Sequence, residues 1–439
     1  MTFNLNNINY SSFISILFYL IPFSLGLGPA IPDILLSVIA LSFFFFIIIN
    51  KNWEILKNKF TFFFLCFWII IVINSFFSEN LSISLRVSFF YIRYLFFSLA
   101  VYHLINNNKK FLFNTFYSIS FSFYLVFFFG YFQLITGFNI LTDDLNKLIL
   151  DGSKTIPQRI SGLFGDELVL GGYLVRLFFL YSAIYLFLQK KNFTCNFIFL
   201  INFVLFFPLV LYAGERSAVI LLFIFLILCF LLLKNFNKIK LAAVIFILTF
   251  CVIIFSIDKN LRFRIFEQTL FHQIKPRPQE NIENKIFFLS EQHEAHINLA
   301  IEIFKDNYIF GAGAKSFSYL CHHYDKKLSE NLRLKVKGCS THPHNTYFQI
   351  LSETGMVGFL LLIFLIYYLI KRILYLRQIK ISKYFSVEKY NFSITLIIIF
   401  LSFLFPIMPT GNFFGNWLSI AYYLPVGFFL YSINFVKKK

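Results

Sequence analysis

Ser217-Ala218-Val219-Ile220-Leu221-Leu222-Phe223-Ile224-Phe225-Leu226-Ile227-Leu228-Cys229-Phe230-Leu231-Leu232-Leu233 holds no charge, no glycine and no proline, and a cation stands at each end, Arg216 before it and Lys234 after it. A run of this length is just enough to cross the hydrocarbon of a bilayer as a helix. Lipid offers no partner to an open backbone, so such a segment must close its own hydrogen bonds, and a helix does so within one strand of chain. The pattern recurs. Apolar runs lie at 11–28, 31–49, 60–77, 87–106, 111–136, 168–188, 193–213, 217–233, 241–257, 346–370, 391–409 and 417–434. The expected fold is an all-α integral membrane protein with about twelve transmembrane helices. Nine lie in 1–257 and three in 346–439, with a large helical extramembrane segment between them at 258–345.

Composition points the same way. Of 439 residues, 58% are hydrophobic and 14% charged, with mean hydropathy +0.73, whereas soluble domains carry about 25% charged residues. A cytosolic enzyme, a disordered chain and a small secreted scaffold are all excluded. The net charge of +18 invites nucleic acid as a partner, but no basic face remains once the spans are drawn. Membrane lipid is the partner these runs imply. Residues 1–10 hold no Lys or Arg, so no cleavable leader is expected.

The cations sort by side. With the N-terminus cytoplasmic, the cytoplasmic segments hold nineteen Lys and Arg, among them Lys51, Lys57, Lys59, Lys234, Lys371 and Arg372. The short outer segments hold five: Arg86, Lys147, Lys154, Arg159 and Arg216. Cytoplasmic loops carry such an excess, so both termini are expected inside. Residues 258–345 then fall outside, with thirteen basic and ten acidic residues. Long segments translocate regardless of charge. Within this one, Leu299, Ala300, Ile303 and Phe304 cluster on one side of an amphipathic helix over His293–Phe304.

Chemistry concentrates beside it. The stretch Thr341-His342-Pro343-His344-Asn345-Thr346 leads into Tyr347-Phe348-Gln349-Ile350-Leu351-Ser352-Glu353-Thr354-Gly355-Met356-Val357-Gly358. Pro343 suits a turn or a helix start, so His344 stands at the mouth of the tenth span. A partly desolvated imidazole there is expected to titrate near neutral pH, as a general base does. Glu353 lies nine residues further, inside the span, where an acid is costly. It is either a functional group or a carboxylate tied to neighbouring amides. Gly355 and Gly358 suit close helix packing. Arg159 and Arg216 stand on the outer side as candidate grips for phosphate oxygens. The blander readings pair Arg159 with Asp166 and Arg216 with Glu215. Arg86 and Arg93 are weaker candidates.

Other patterns carry less. His293-Glu294-Ala295-His296 lacks the one-turn spacing of a zinc-protease helix. Gly311-Ala312-Gly313-Ala314-Lys315-Ser316 lacks the Gly-Lys-Ser order of a phosphate loop and reads as a turn after a helix. Cys321 and Cys339 can close a disulfide worth about 3 kcal/mol in an oxidising compartment. A metal site with His322 and His323 is the alternative.

The Thr341–Gly358 run resembles the signature of the O-antigen ligase and O-antigen polymerase superfamily. Arg159-x-x-Gly162-x-Phe164, Gly214-x-Arg216-x-Ala218 and Phe310-Gly311-x-Gly313-x-x-x-Phe317 look like the same family. The resemblance covers roughly residues 150–360. Asp166-Glu167 stands where many members have Asn-Pro-Asn. The resemblance implies an inverting glycosyl transfer that needs no metal or cofactor, at the periplasmic face of the bacterial inner membrane. The implied donor is a glycan on undecaprenyl pyrophosphate, and the acceptor is a sugar of lipid A–core or another lipid-linked glycan. It implies His344 as the base and Arg159 and Arg216 as the pyrophosphate clamp, with His342, Asn345 and Glu353 as substrate-binding candidates. The sequence leaves three readings: ligase first, polymerase second, and a transporter of lipid-linked glycans third.

Overall fold

The computed structural model describes residues 7–108, 110–143, 159–189, 193–235, 237–267, 291–332, 338–382 and 384–437. Lys109, Lys147, Lys154, Lys190, Lys191, His272, Lys383, Lys438 and Lys439, some of them counted in the charge sorting, lie outside the described residues.

Among the described residues the chain is all-α. The helices are α1 (Asn7–Ser24), α2 (Ala30–Ile49), α3 (Lys59–Ser75), α4 (Leu81–Phe90), α5 (Arg93–Asn107), α6 (Phe111–Thr136), α7 (Leu170–Leu188), α8 (Phe193–Tyr212), α9 (Arg216–Leu232), α10 (Asn237–Ile257) and α11 (Lys259–Arg262). After them come α12 (Glu291–Asp306), α13 (Phe317–Leu332), α14 (Thr346–Gln378), α15 (Val387–Phe403), α16 (Asn416–Tyr423) and α17 (Val426–Lys437).

A helix or helix pair falls on each of the twelve apolar runs, but not every one of them has the length and apolar composition of a full crossing. Among the described residues, eight helices, taken with their near-continuations, are long and apolar enough to cross a membrane, and a ninth arises if the pair Val244–Ile257 and Lys259–Glu267, bent by 112°, is one span. α3 and α9 are apolar helices of 17 residues, short of that length. α15 also has 17 residues, and Glu388 and Lys389 occupy its first turn. Boundaries move where polar residues cap early. The Asn58 side chain accepts from Thr61 N–H at 2.9 Å and so starts α3. The Ser386 hydroxyl caps α15 in the same way.

The core is built on α7 and α15, which pack on each other. α7 is 83% buried, and rings such as Phe178, Phe179 and Tyr181 stack against Phe206, Phe225 and Phe116. Burying a ring of this size contributes about 1.5–3 kcal/mol in water. In lipid, where tails are as apolar as the core, close packing supplies the attraction instead. α2 packs on α5, α5 on α17, and α1 on α2 and α6.

The segment ahead of α14 contributes α12 and α13, whose Leu299, Ala300, Ile303, Phe317, Leu320 and Tyr324 form a small core of their own. Cys321 and Cys339 come together as a disulfide with Cα atoms 5.0 Å apart. This joins α13 to the chain that leads into His342. The same two sulfurs and His322 are grouped closely enough to hold a metal ion, an arrangement that would require the cysteines as thiolates.

Candidate functional site

α14 is interrupted. Gly355 has φ +66°, a region that favours glycine. The interruption admits the 308–313 loop, which takes over the broken hydrogen-bond ladder. Ala312 N–H donates to Ser352 O and Gly313 N–H to Glu353 O, while Met356 N–H donates to Tyr308 O. A Cβ on Gly311 would lie 2.4 Å from Gly355 N, and one on Gly355 would lie 2.3 Å from Ile309 O. These glycines therefore permit backbone on backbone, rather than the helix-on-helix contact expected for Gly355.

Glu353 locks this crossing. It is 0% exposed, and its carboxylate accepts from Lys315 N–H at 3.1 Å, Phe317 N–H at 3.2 Å and Gln349 Nε2 at 3.1 Å. Its carbonyl takes Asn74 Nδ2 at 2.6 Å. A buried carboxylate is tolerable when its lone pairs are met in this way. Of the two readings of Glu353, the geometry matches the tied carboxylate.

One turn of chain before α14 sits a cluster of four imidazoles. The His344 ring lies 4.0 Å from His342, 5.1 Å from His296 and 5.7 Å from His293, centre to centre. Two of them are spent on the scaffold. His342 Nε2 lies 3.1 Å from Thr410 O, and its Nδ1 lies 2.9 Å from the Thr341 hydroxyl. The carbonyl requires the proton on Nε2. His296 Nδ1 lies 2.6 Å from Gly338 O, which fixes its proton on Nδ1. Asn345 is used up as well: its Oδ1 caps α14 by accepting from Tyr347 N–H at 2.9 Å, and its Nδ2 donates to Pro406 O at 2.8 Å.

His344 differs. It has φ +52°, a left-handed conformation costly for a residue with a Cβ. Its carbonyl holds that turn by accepting from Thr410 N–H at 2.8 Å. Among the described residues no hydrogen bond engages its ring. The expectation of near-neutral titration is corrected: burial, then His342, His296 and His293, push His344 down to about 3. Burial and the neighbouring imidazoles likewise push His342 to about 4, although its bond to Thr410 O opposes this. His293 is lowered by burial, His296 and Arg216.

That last influence connects the imidazoles to a turn of cations. Arg159 Nε donates to Ala213 O at 3.1 Å and its NH2 group to Leu168 O at 3.0 Å, not to Asp166. Arg264 Nε donates to Gly214 O at 3.0 Å, and Arg216 opens α9 from the same turn. Gly214 has φ +65°, and a Cβ there would lie 2.8 Å from Arg264 Nε and 3.0 Å from Arg159 Cγ. Glycine lets both side chains cross the turn. Glu215 faces the other way and accepts from Gly171 and Gly172 N–H at 2.7 and 3.2 Å, which suits a carboxylate at a helix N-terminus. Burial pushes the Glu215 carboxyl up. Burial, Arg264 and Arg216 all act against the Arg159 charge, and Glu215 relieves it only in part. Guanidiniums crowded in this way favour an anion between them.

Two residues escaped the sequence reading. Arg264 sits in a segment with thirteen cations, and no local pattern marks it. Arg176 was detectable as a charge inside an apolar run. It lies in α7 over the Trp417 ring at 5.8 Å and donates to Gly172 O at 3.0 Å. Arg93, by contrast, pairs with Asp33 at 2.8 Å, where Asn416 also binds.

Residues 201–363 match the family model described as O-antigen ligase. That stretch contains the Ala213–Arg216 turn, all four clustered histidines and the Gly355 crossing. No curated protein matches the chain. This match supports the resemblance of the chain, a multi-pass helical membrane protein, to the O-antigen ligase superfamily.

Proposed function

We propose that the protein is a glycosyltransferase of the O-antigen ligase type. It moves a glycan from undecaprenyl pyrophosphate to a sugar hydroxyl of lipid A–core at the periplasmic face of the bacterial inner membrane. The observations that carry this reading are one unengaged imidazole, His344, in a cluster whose His293 feels the charge of Arg216, and a turn that gathers Arg159 and Arg264 beside Arg216. The nineteen-to-five sorting of cations supports the orientation, with both termini cytoplasmic.

The chemistry is a single displacement. The acceptor oxygen forms a bond to the anomeric carbon from the face opposite the pyrophosphate, so the configuration inverts. Its proton passes to a ring nitrogen of His344, a step worth about 10²–10⁴-fold. The anomeric carbon–oxygen bond breaks, and its electron pair goes to the pyrophosphate, where the guanidiniums meet the new charge. They supply the neutralisation that a divalent ion provides elsewhere, so the step calls on no metal. The low proton affinity of His344 in the free site keeps it unprotonated. An anionic donor nearby raises that affinity as the proton must be taken. His342, Asn345 and Glu353 act by holding the His344 turn and the crossing loop.

The test is reconstitution in vesicles with a lipid-linked glycan donor and lipid A–core. Mass spectrometry is expected to find the acceptor extended by the glycan. A product consisting of a longer lipid-linked glycan would assign the polymerase reaction instead. Movement of intact donor across the bilayer without any transfer would overturn the enzymatic reading.

A further inference from the structure

A cleft of about 790 Å³ lies between α3, α14, α15, α16 and α17, and none of the imidazoles or guanidiniums described above lines it. Its walls are apolar. Phe63 and Phe364 meet across it at 5.0 Å, and Phe403, Phe413 and Leu430 line it from the far side. α14, which forms one wall, is the least buried of the candidate spans at 22%, and Leu365 and Tyr367 on it are exposed. The cleft therefore opens sideways to lipid.

One end of it is cationic. Lys57, Lys59, Lys371 and Arg372 line that end, with Glu54 the single acid. Glu54 is already paired with Lys57 at 2.6 Å. Arg372 is partly buried, and its guanidinium rests on the Tyr375 ring at 5.1 Å. Lys371 meets Tyr367 at 3.5 Å, and among the described residues no carboxylate pairs with it. Lys371 and Arg372 lie 15 and 16 residues beyond Met356 on the part of α14 that follows the Gly355 interruption, roughly 23 Å of helical rise, while His344 precedes the interruption, so this end lies toward the membrane face opposite His344. A donor held by Arg159, Arg216 and Arg264 would bring only its hydrocarbon here, which leaves these cations unanswered.

We propose that the cleft binds an anionic phospholipid of the leaflet opposite the His344 site. Its phosphate sits on Lys59, Lys371 and Arg372, and its acyl chains lie against Phe63, Phe364 and Leu365. Basic pockets between spans recognise anionic headgroups in this manner. Each cation is worth about fivefold in affinity near a membrane surface.

The experiment is native mass spectrometry of the full chain released from phosphatidylethanolamine nanodiscs that contain a minority of phosphatidylglycerol. The wild type is expected to retain phosphatidylglycerol above its bulk share. Lys371→Gln with Arg372→Gln should weaken that retention roughly 25-fold. Arg377→Gln with Lys380→Gln, at the same membrane face but off the cleft, should leave it unchanged. Wild-type protein that retains both lipids in bulk proportion overturns the proposal, as does retention of a polyprenyl lipid in their place. Equal loss in the two double variants also overturns it, because the cations would then act only as general anchors. Should Lys371→Gln with Arg372→Gln fail to fold, the wild-type lipid ratio alone decides.

Discussion

The Ala213–Arg216 turn and the His342–Thr346 turn are both short, both sit at a helix mouth and both depend on left-handed backbone. They solve opposite problems. At the first, like charges are gathered: Arg159 and Arg264 each hold a carbonyl of the turn, Glu215 is withdrawn to the α7 N-terminus, and guanidinium charge accumulates. At the second, titratable groups are consumed. His342, His296 and Asn345 are tied to carbonyls, and one imidazole remains unengaged. On the proposed function, one turn attracts an anion and the other keeps one base free and neutral. Residue type alone misleads in both places, since what a side chain can do depends on which of its atoms the backbone has already claimed.

Perturbing each turn separately sharpens this contrast. The largest effect is expected at the unengaged ring, where His344→Ala should slow transfer by about 10²–10⁴-fold. Next come the cations: Arg216→Ala or Arg159→Ala should cost about 10²–10³-fold in kcat, read in the same vesicle assay. Gly214→Ala reaches both arginines at once. Its Cβ would push Arg264 and Arg159 off the turn and force a left-handed alanine, costing about 1–3 kcal/mol of stability, measured by thermal melting. Asn345→Ala removes the cap of α14 and should cost about 0.5–2 kcal/mol, with activity falling only as far as the His344 turn loosens.

A further effect, on stability alone, concerns pH. His293, His342 and His344 bind protons more weakly in the folded protein than at their ordinary 6.5. The unfolded chain therefore takes up protons first as pH falls. Stability from these groups is complete above about pH 7 and declines below about 6.5, by about 1–3 kcal/mol at pH 5 after solvent screening. A melting temperature that stays flat across this window, or rises toward acid, would contradict the imidazole assignment.

Much of the scaffold was legible because lipid restricts the options. An apolar run must become a helix, so Ser217–Leu233 announced α9 to within a residue at each end. The crossing count was less legible, since caps and first-turn charges shorten helices such as α15. The candidate site was legible where one local pattern held several of its parts, as at Thr341–Thr346. It was hidden where partners come from afar. Gly355 read as a packing glycine, because nothing nearby says that Ile309 and Gly311 will cross it. His293 and His296 read as a failed zinc motif, yet their role depends on a fold that carries them to His344.

The central claim is that His344 acts on the proton while the cations act on the donor. Single-turnover transfer by His344→Ala, measured beside its donor Kd in the same vesicles, separates the two. Transfer should collapse while the donor Kd stays within about twofold of wild type. Transfer at the wild-type rate would contradict the account.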